Sequence, residues 1–131
     1  MVIDTSALLA IFLAEPERQP FLEQITQAEK RLISAVNAFE TGIALEARRG
    51  EAAGREFDLF LGRANLEVVA VDAEQVEIAR AAWRRYGKGR HPAALNFGDC
   101  FAYALAKTSG EPLLAKGLDF ARTDIDVCKN V

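Results

Sequence analysis

Apolar positions recur along this chain in two rhythms. Short, mostly apolar runs at residues 1–3, 31–35, 66–71 and 113–115 have the length of buried strands, and Val, Ile and Leu supply most of their bulk. Between them the spacing changes to three and four. Leu8, Leu9, Ile11, Phe12 and Leu13 form one face of a helix that begins after Asp4, with Thr5 or Ser6 placed to cap it. Phe21, Leu22 and Ile25 mark a second helix over 17–29, and residues 36–49 a third that Gly50 ends. Residues 53–63 read as helical too. Asp72 caps a long helix to about Arg85, residues 87–95 form a loop around Pro92, and a last helix runs from Asn96 to Ser109, where Gly110 stops it. Residues 126–128 suggest one further strand. Strands alternating with helices define an α/β sandwich on a mostly parallel sheet, whose ligand sites lie at the carboxyl ends of the strands.

Length and composition narrow this picture. The chain has 131 residues and is 50% hydrophobic, the size of one compact domain, and no linker or repeat interrupts it, so residues 1–131 are expected to form a single domain. The apolar run 7–14 is too short to cross a membrane and follows Asp4 instead of basic residues, which implies a soluble cytoplasmic protein. Cys100 and Cys128 are too few for a disulfide framework and lack zinc-site spacing, so both read as small buried hydrophobes.

A net charge of −3 argues, taken alone, against a nucleic-acid partner. The sum conceals a polarity. Residues 1–79 hold 7 Lys/Arg against 14 Asp/Glu, whereas residues 80–131 hold 9 against 5. The densest basic stretch contains Arg84, Arg85, Lys88 and Arg90, with Tyr86 and His91 among them. Such a run is most often a solvated helix end and loop, and it also has the make-up of a phosphate-binding patch.

Chemistry enters through carboxylates in apolar surroundings. Asp4 follows the first strand in Val-Ile-Asp-Thr-Ser-Ala, Glu40 lies in Ala-Phe-Glu-Thr-Gly-Ile, and Asp99 lies in Phe-Gly-Asp-Cys-Phe-Ala. Each one singly has an ordinary role as a cap or a first-turn acid. Several together repel and take up protons unless a cation compensates them. Oxygen donors without Cys or His select a hard divalent ion, Mg²⁺ or Mn²⁺. An ion of that kind can activate water for in-line attack on a phosphodiester, with no protein nucleophile required.

These segments, taken in order, resemble a PIN domain. Val2-Ile3-Asp4-Thr5-Ser6-Ala7 comes first, then Ser34-Ala35 followed by Glu40, then Leu95-Asn96-Phe97-Gly98-Asp99, and finally Glu111-Pro112-Leu113-Leu114 with Gly117-Leu118-Asp119-Phe120 and Thr123-Asp124-Ile125. More narrowly they resemble the VapC toxins of bacterial toxin–antitoxin pairs. The resemblance implies a three-layer α/β/α sandwich, Mg²⁺- or Mn²⁺-dependent RNA cleavage, homodimers, and inhibition by a VapB-type antitoxin. It places Asp4, Glu40 and Asp99 at the three core acidic positions, Asp119 at the fourth, and Ser6 or Thr5 at a supporting hydroxyl position. Leu118 departs from the pattern, which keeps Asp124 open as an alternative fourth acid. In the same reading Arg84, Arg85, Lys88 and Arg90 draw RNA toward an acidic cleft, and Tyr86 or His91 is a candidate to stack on an unpaired base.

Other classes fit less well. A haloacid dehalogenase phosphatase also carries an Asp after its first strand but needs a second Asp two residues on, where this chain has Ser6. A response-regulator receiver needs an acidic pair at the end of strand one, which is absent here. A catalytically silent PIN-like module that only binds nucleic acid or protein is the non-enzymatic alternative.

Overall fold

The computed structural model describes residues 1–129, so the last two residues of the expected domain lie outside the described ones. Four short strands, β1 (Val2–Ile3), β2 (Leu32–Ser34), β3 (Glu67–Val69) and β4 (Leu113–Leu114), form one sheet in the order β3-β2-β1-β4. Every pairing is parallel, with Val2 opposite Leu32 and Leu113, and Ile3 opposite Leu114. Because side chains alternate across a strand, this register sorts the apolar residues onto two faces. Val2, Leu32 and Leu113 join one core with residues of α5 (Ala73–Tyr86) and α6 (Phe97–Ser109). Ile3, Ile33 and Leu114 join the other, with residues of α1 (Thr5–Phe12), α2 (Arg18–Gln27), α3 (Ala35–Arg49) and α4 (Glu51–Arg63). Helices on both faces give the three layers. They also explain why the central strands read as continuous apolar runs.

Local chemistry sets the element ends and accounts for departures from the expected boundaries. Asp4 itself caps α1 by accepting the Ser6 N–H at 3.0 Å, so neither Thr5 nor Ser6 is the cap and both hydroxyls remain available for other contacts. Strand β2 stops at Ser34 because its hydroxyl accepts the Val36 N–H and begins α3. Arg31, expected within that strand, instead donates its guanidinium to the carbonyls of Thr26, Ala28 and Ala64. Strand β3 is shorter than the run 66–71, since the Leu66 N–H closes on Leu61 and the Ala70 carbonyl accepts from Gln75. The expected strand at 126–128 is reduced to a one-residue bridge, with Val127 beside Leu113.

Candidate active site

The carboxyl ends of β1, β2 and β4 open on one edge of the sheet, and the four acidic residues reach it from four different local settings. Asp4 is carried by the first residue after β1 and is 2% exposed. Ser6 satisfies Oδ2, while Oδ1 is buried with no hydrogen-bond partner. Glu40 sits one and a half turns into α3, where its Oε1 accepts the Thr5 hydroxyl at 2.5 Å and the Asn37 amide at 3.3 Å. Asp99 is fixed by a capping box at the start of α6: Asn96 Oδ1 accepts the Asp99 N–H at 2.9 Å, and Asp99 Oδ2 accepts the Asn96 N–H at 3.0 Å. Asp119 is exposed, at the mouth of a short 3₁₀ turn over Phe120–Arg122, and caps nothing with its side chain.

Electrostatics ties these groups together. Burial raises the Asp4 carboxyl above its ordinary range, the hydrogen bonds from Ser6 oppose this, and the Glu40 charge adds to it. Asp99 is pushed up to about 7, first by burial and then, against the Asn96 hydrogen bond, by the charges of Asp4, Glu40 and Asp119. All four acids therefore act on Asp99 or are Asp99. Among the described residues, no three His, Cys, Asp or Glu side chains converge closely enough to hold an ion directly in the arrangement seen.

Two residues that sequence reasoning missed complete the geometry. Asn37 is fully buried and joins Thr5, Glu40 and Gly98 through its side-chain amide. Gly98 lets the first turn of α6 lie against Glu40, since a Cβ there would collide with both carboxylate oxygens. The signal for Gly98 was its place beside Asp99. Asn37, one turn before Glu40, gives no signal of its own. The Ser6 hydroxyl accepts the Lys116 N–H at 2.9 Å, tying the loop after β4 to α1.

Asp124 stands elsewhere. It accepts the Tyr103 hydroxyl at 2.5 Å and the Lys107 ammonium at 2.7 Å, with Arg85 3.9 Å away. Burial opposes its charge, but the Lys107 and Tyr103 hydrogen bonds prevail and hold its carboxyl down at about 2. Its charge is thus already compensated.

The basic stretch divides in the same way. Arg84, Arg85, Lys88 and Arg90 are all exposed, yet Arg85 leans toward Asp124 and over the Tyr86 ring, and Arg90 stacks 4.3 Å from the Trp83 centroid. Tyr86 is 4% exposed and packs against Tyr103 and His91, which removes it from the set of free stacking surfaces. His91 is half-buried, its ring edge-on to Tyr86 and its Nδ1 accepting the Ala93 N–H, so it is not a free stacking ring either. Cys100 is buried and its thiol is raised to about 11 by burial and by Asp99, as an inert core residue requires. Cys128 is half-buried against the α1–α4 core.

A parallel sheet between helix layers, with acids gathered at its carboxyl edge, defines a class that the comparisons identify. The PIN-domain profile matches residues 1–126. Ribonuclease VapC30 of Mycobacterium tuberculosis is 55% identical over 125 residues, 95% of each chain. Ribonuclease VapC of Mycolicibacterium smegmatis is 54% identical over 95% of this chain and 97% of its own. The crystal structure of M. tuberculosis VapC20, described as a sarcin-ricin loop cleaving toxin, superposes with a TM-score of 0.76 at 20% identity over 95% of each chain. VapBC2 of Rickettsia felis, bound to a promoter DNA fragment, superposes at 0.72 and 18% identity, covering 98% of this chain and 96% of that one. This chain belongs to the PIN-domain family and, within it, to the VapC ribonucleases.

Proposed function

We propose that this chain is a divalent-metal-dependent endoribonuclease acting in the cytoplasm as the toxin of a toxin–antitoxin pair, with Asp4, Glu40, Asp99 and Asp119 as its working acids. The observation that carries the reading is the buried Asp4 carboxylate, one oxygen unpartnered, beside an Asp99 whose proton affinity is raised by burial first and by three neighbouring acids after it. A cation resolves both features. The donor set is all oxygen, with no Cys or His, and that chemistry suits Mg²⁺ or Mn²⁺. When bound, such an ion supplies Lewis acidity and an activated water for in-line attack on the phosphodiester.

The chain's own groups do the positioning. Asp4 and Asp99 are locked by backbone N–H groups at helix starts, Glu40 by the Thr5 hydroxyl, and the Asp119 loop by Ser6. Arg84 and Lys88, exposed and without an ion-pair partner among the described residues, attract the RNA backbone that the acids repel.

Two surfaces suit protein partners. A groove between α1, α2 and α4 is lined by Phe12, Leu22 and Phe60 and rimmed by Arg18, Arg31 and Arg63, which suits an antitoxin segment that pairs apolar with acidic residues. Val76, Trp83 and Phe97 are large, apolar and about half exposed or more on α5 and α6, a face for a second copy of the chain. The decisive test is cleavage of RNA by purified protein in chelator and with Mg²⁺ or Mn²⁺ restored, beside Asp4→Asn. Metal-dependent cleavage lost in the variant supports the nuclease. RNA bound and left intact by the wild type under every condition would make this a silent binding module.

A further inference from the structure

Outside the acids themselves, one buried polar side chain touches three of the four segments that carry them. Asn37 is 0% exposed on α3. Its Nδ2 lies 3.1 Å from the Gly98 carbonyl, 3.3 Å from Thr5 Oγ1 and 3.3 Å from Glu40 Oε1. Thr5 follows Asp4, and Gly98 precedes Asp99. A single amide thus reaches the start of α1, the start of α6 and the Glu40 carboxylate.

The hydroxyl of Thr5 makes this arrangement directional. Its one proton goes to Glu40 Oε1, 2.5 Å away, in preference to the Asn37 carbonyl at 3.4 Å. With its proton committed, Thr5 Oγ1 accepts from the Asn37 amide, and the amide, hydroxyl and carboxylate form one polarised chain. Asn37 Oδ1, by contrast, is buried with no partner. An apolar side chain of the same size would remove that unpaired acceptor. Core packing alone therefore gives no reason for an amide here, whereas one of its two N–H donors serves Gly98 beside Asp99 and the other is shared between Thr5 and Glu40.

We propose that Asn37 is the positioning residue of the carboxylate site, its amide fixing Glu40 and the first turn of α6 against α1. The proposal rests on the metal-nuclease reading. Gly98 fits it, because with no Cβ the α6 backbone can approach Asn37 and Glu40 closely. Without the amide, Glu40 keeps only the Thr5 hydroxyl and is free to turn, and the α6 start loses its tie to α3.

The test compares Asn37→Leu and Asn37→Ala, which lack the donor, with Asn37→Ser, which restores one donor, and with Leu45→Ala, a core substitution on the same helix. Mn²⁺ affinity is measured by calorimetry without RNA, and kcat and KM are measured on a short RNA. The expected result is Mn²⁺ binding weakened about tenfold or more in Asn37→Leu and Asn37→Ala, kcat lowered to match, KM little changed, and partial recovery in Asn37→Ser. Leu45→Ala should melt earlier yet bind Mn²⁺ like the wild type. A folded Asn37→Leu or Asn37→Ala with wild-type Mn²⁺ affinity and kcat overturns the proposal, as does a loss no greater than that in Leu45→Ala. A wild-type protein that binds no Mn²⁺ refutes the metal site itself, a separate outcome visible before any variant is made.

Discussion

Asp99→Asn in the metal-free protein should raise stability while it destroys activity. The Asp99 carboxyl is displaced from the ordinary 3.8 to about 7, chiefly by burial and then by the charges of Asp4, Glu40 and Asp119. A carboxyl raised in this way contributes stability that is fully present below its unfolded value near 4 and is lost as pH rises through about 7. A displacement of about three pH units corresponds to at most about 4 kcal/mol, and solvent screening of this half-buried group reduces that to about 1–2 kcal/mol. Asparagine has the same shape, carries no charge, and keeps an oxygen to accept the Asn96 N–H in the capping box. In chelator at pH 8 the variant should therefore melt roughly 3–8 °C above the wild type. The gap should shrink as pH falls from 7 toward 4, where the wild-type carboxyl is already protonated in the folded chain. Mn²⁺ should reverse the order by stabilising the wild type alone. Scanning calorimetry across pH 4–8 with chelator or Mn²⁺ reads all three effects. A variant that melts below the wild type at pH 8 in chelator, together with a flat wild-type profile, would refute the electrostatic reasoning.

Gly98→Ala should keep the fold but displace Glu40, because the added Cβ meets both carboxylate oxygens; a tenfold or larger loss of kcat is expected, and wild-type turnover would contradict the packing described. Neutralising Arg84 and Lys88 together should flatten the salt dependence of RNA binding by up to about 0.7 per lost phosphate contact, whereas an unchanged slope returns them to plain solvated surface. Asp124→Asn should lower thermal stability with little change in kcat, since its charge pairs with Lys107 and Tyr103 away from the other acids; loss of metal binding there would restore it as a candidate ligand.

What could be read from the sequence follows from how local each cause is. The caps Asp72 and Asn96 act within a few residues and fall where the pattern puts helix starts, whereas Ser34, read as part of a strand, caps α3 one residue earlier than the pattern indicates. The Val2–Ile3 and Leu32–Ser34 runs are legible because both faces of the sheet are covered. Strand ends were less so: Arg31 spends part of its guanidinium on Ala64, 33 residues on, and the Ala70 carbonyl is taken by the Gln75 side chain, neither of which the apolar pattern reveals. The acids were visible as charges in apolar sequence, yet which of Asp119 and Asp124 belongs with them depends on Tyr103 and Lys107, a whole helix away in sequence. Asn37 reads as an ordinary helical residue until Gly98, 61 positions on, is folded against it. Similarly, Tyr86 looks like a free aromatic in a basic loop and turns out to be a core residue under His91.

The proposed function has Asp4, Glu40, Asp99 and Asp119 share a divalent cation at the carboxyl edge of the sheet. Anomalous diffraction from crystals soaked in Mn²⁺, above and below the manganese absorption edge, tests it most directly. An anomalous peak bordered by Asp4 and Asp99 is expected, with Glu40 and Asp119 reaching it directly or through water, and no such peak in Asp4→Asn crystals. A Mn²⁺-saturated crystal with no peak among these four residues, from protein that cleaves RNA equally well in chelator, would contradict it.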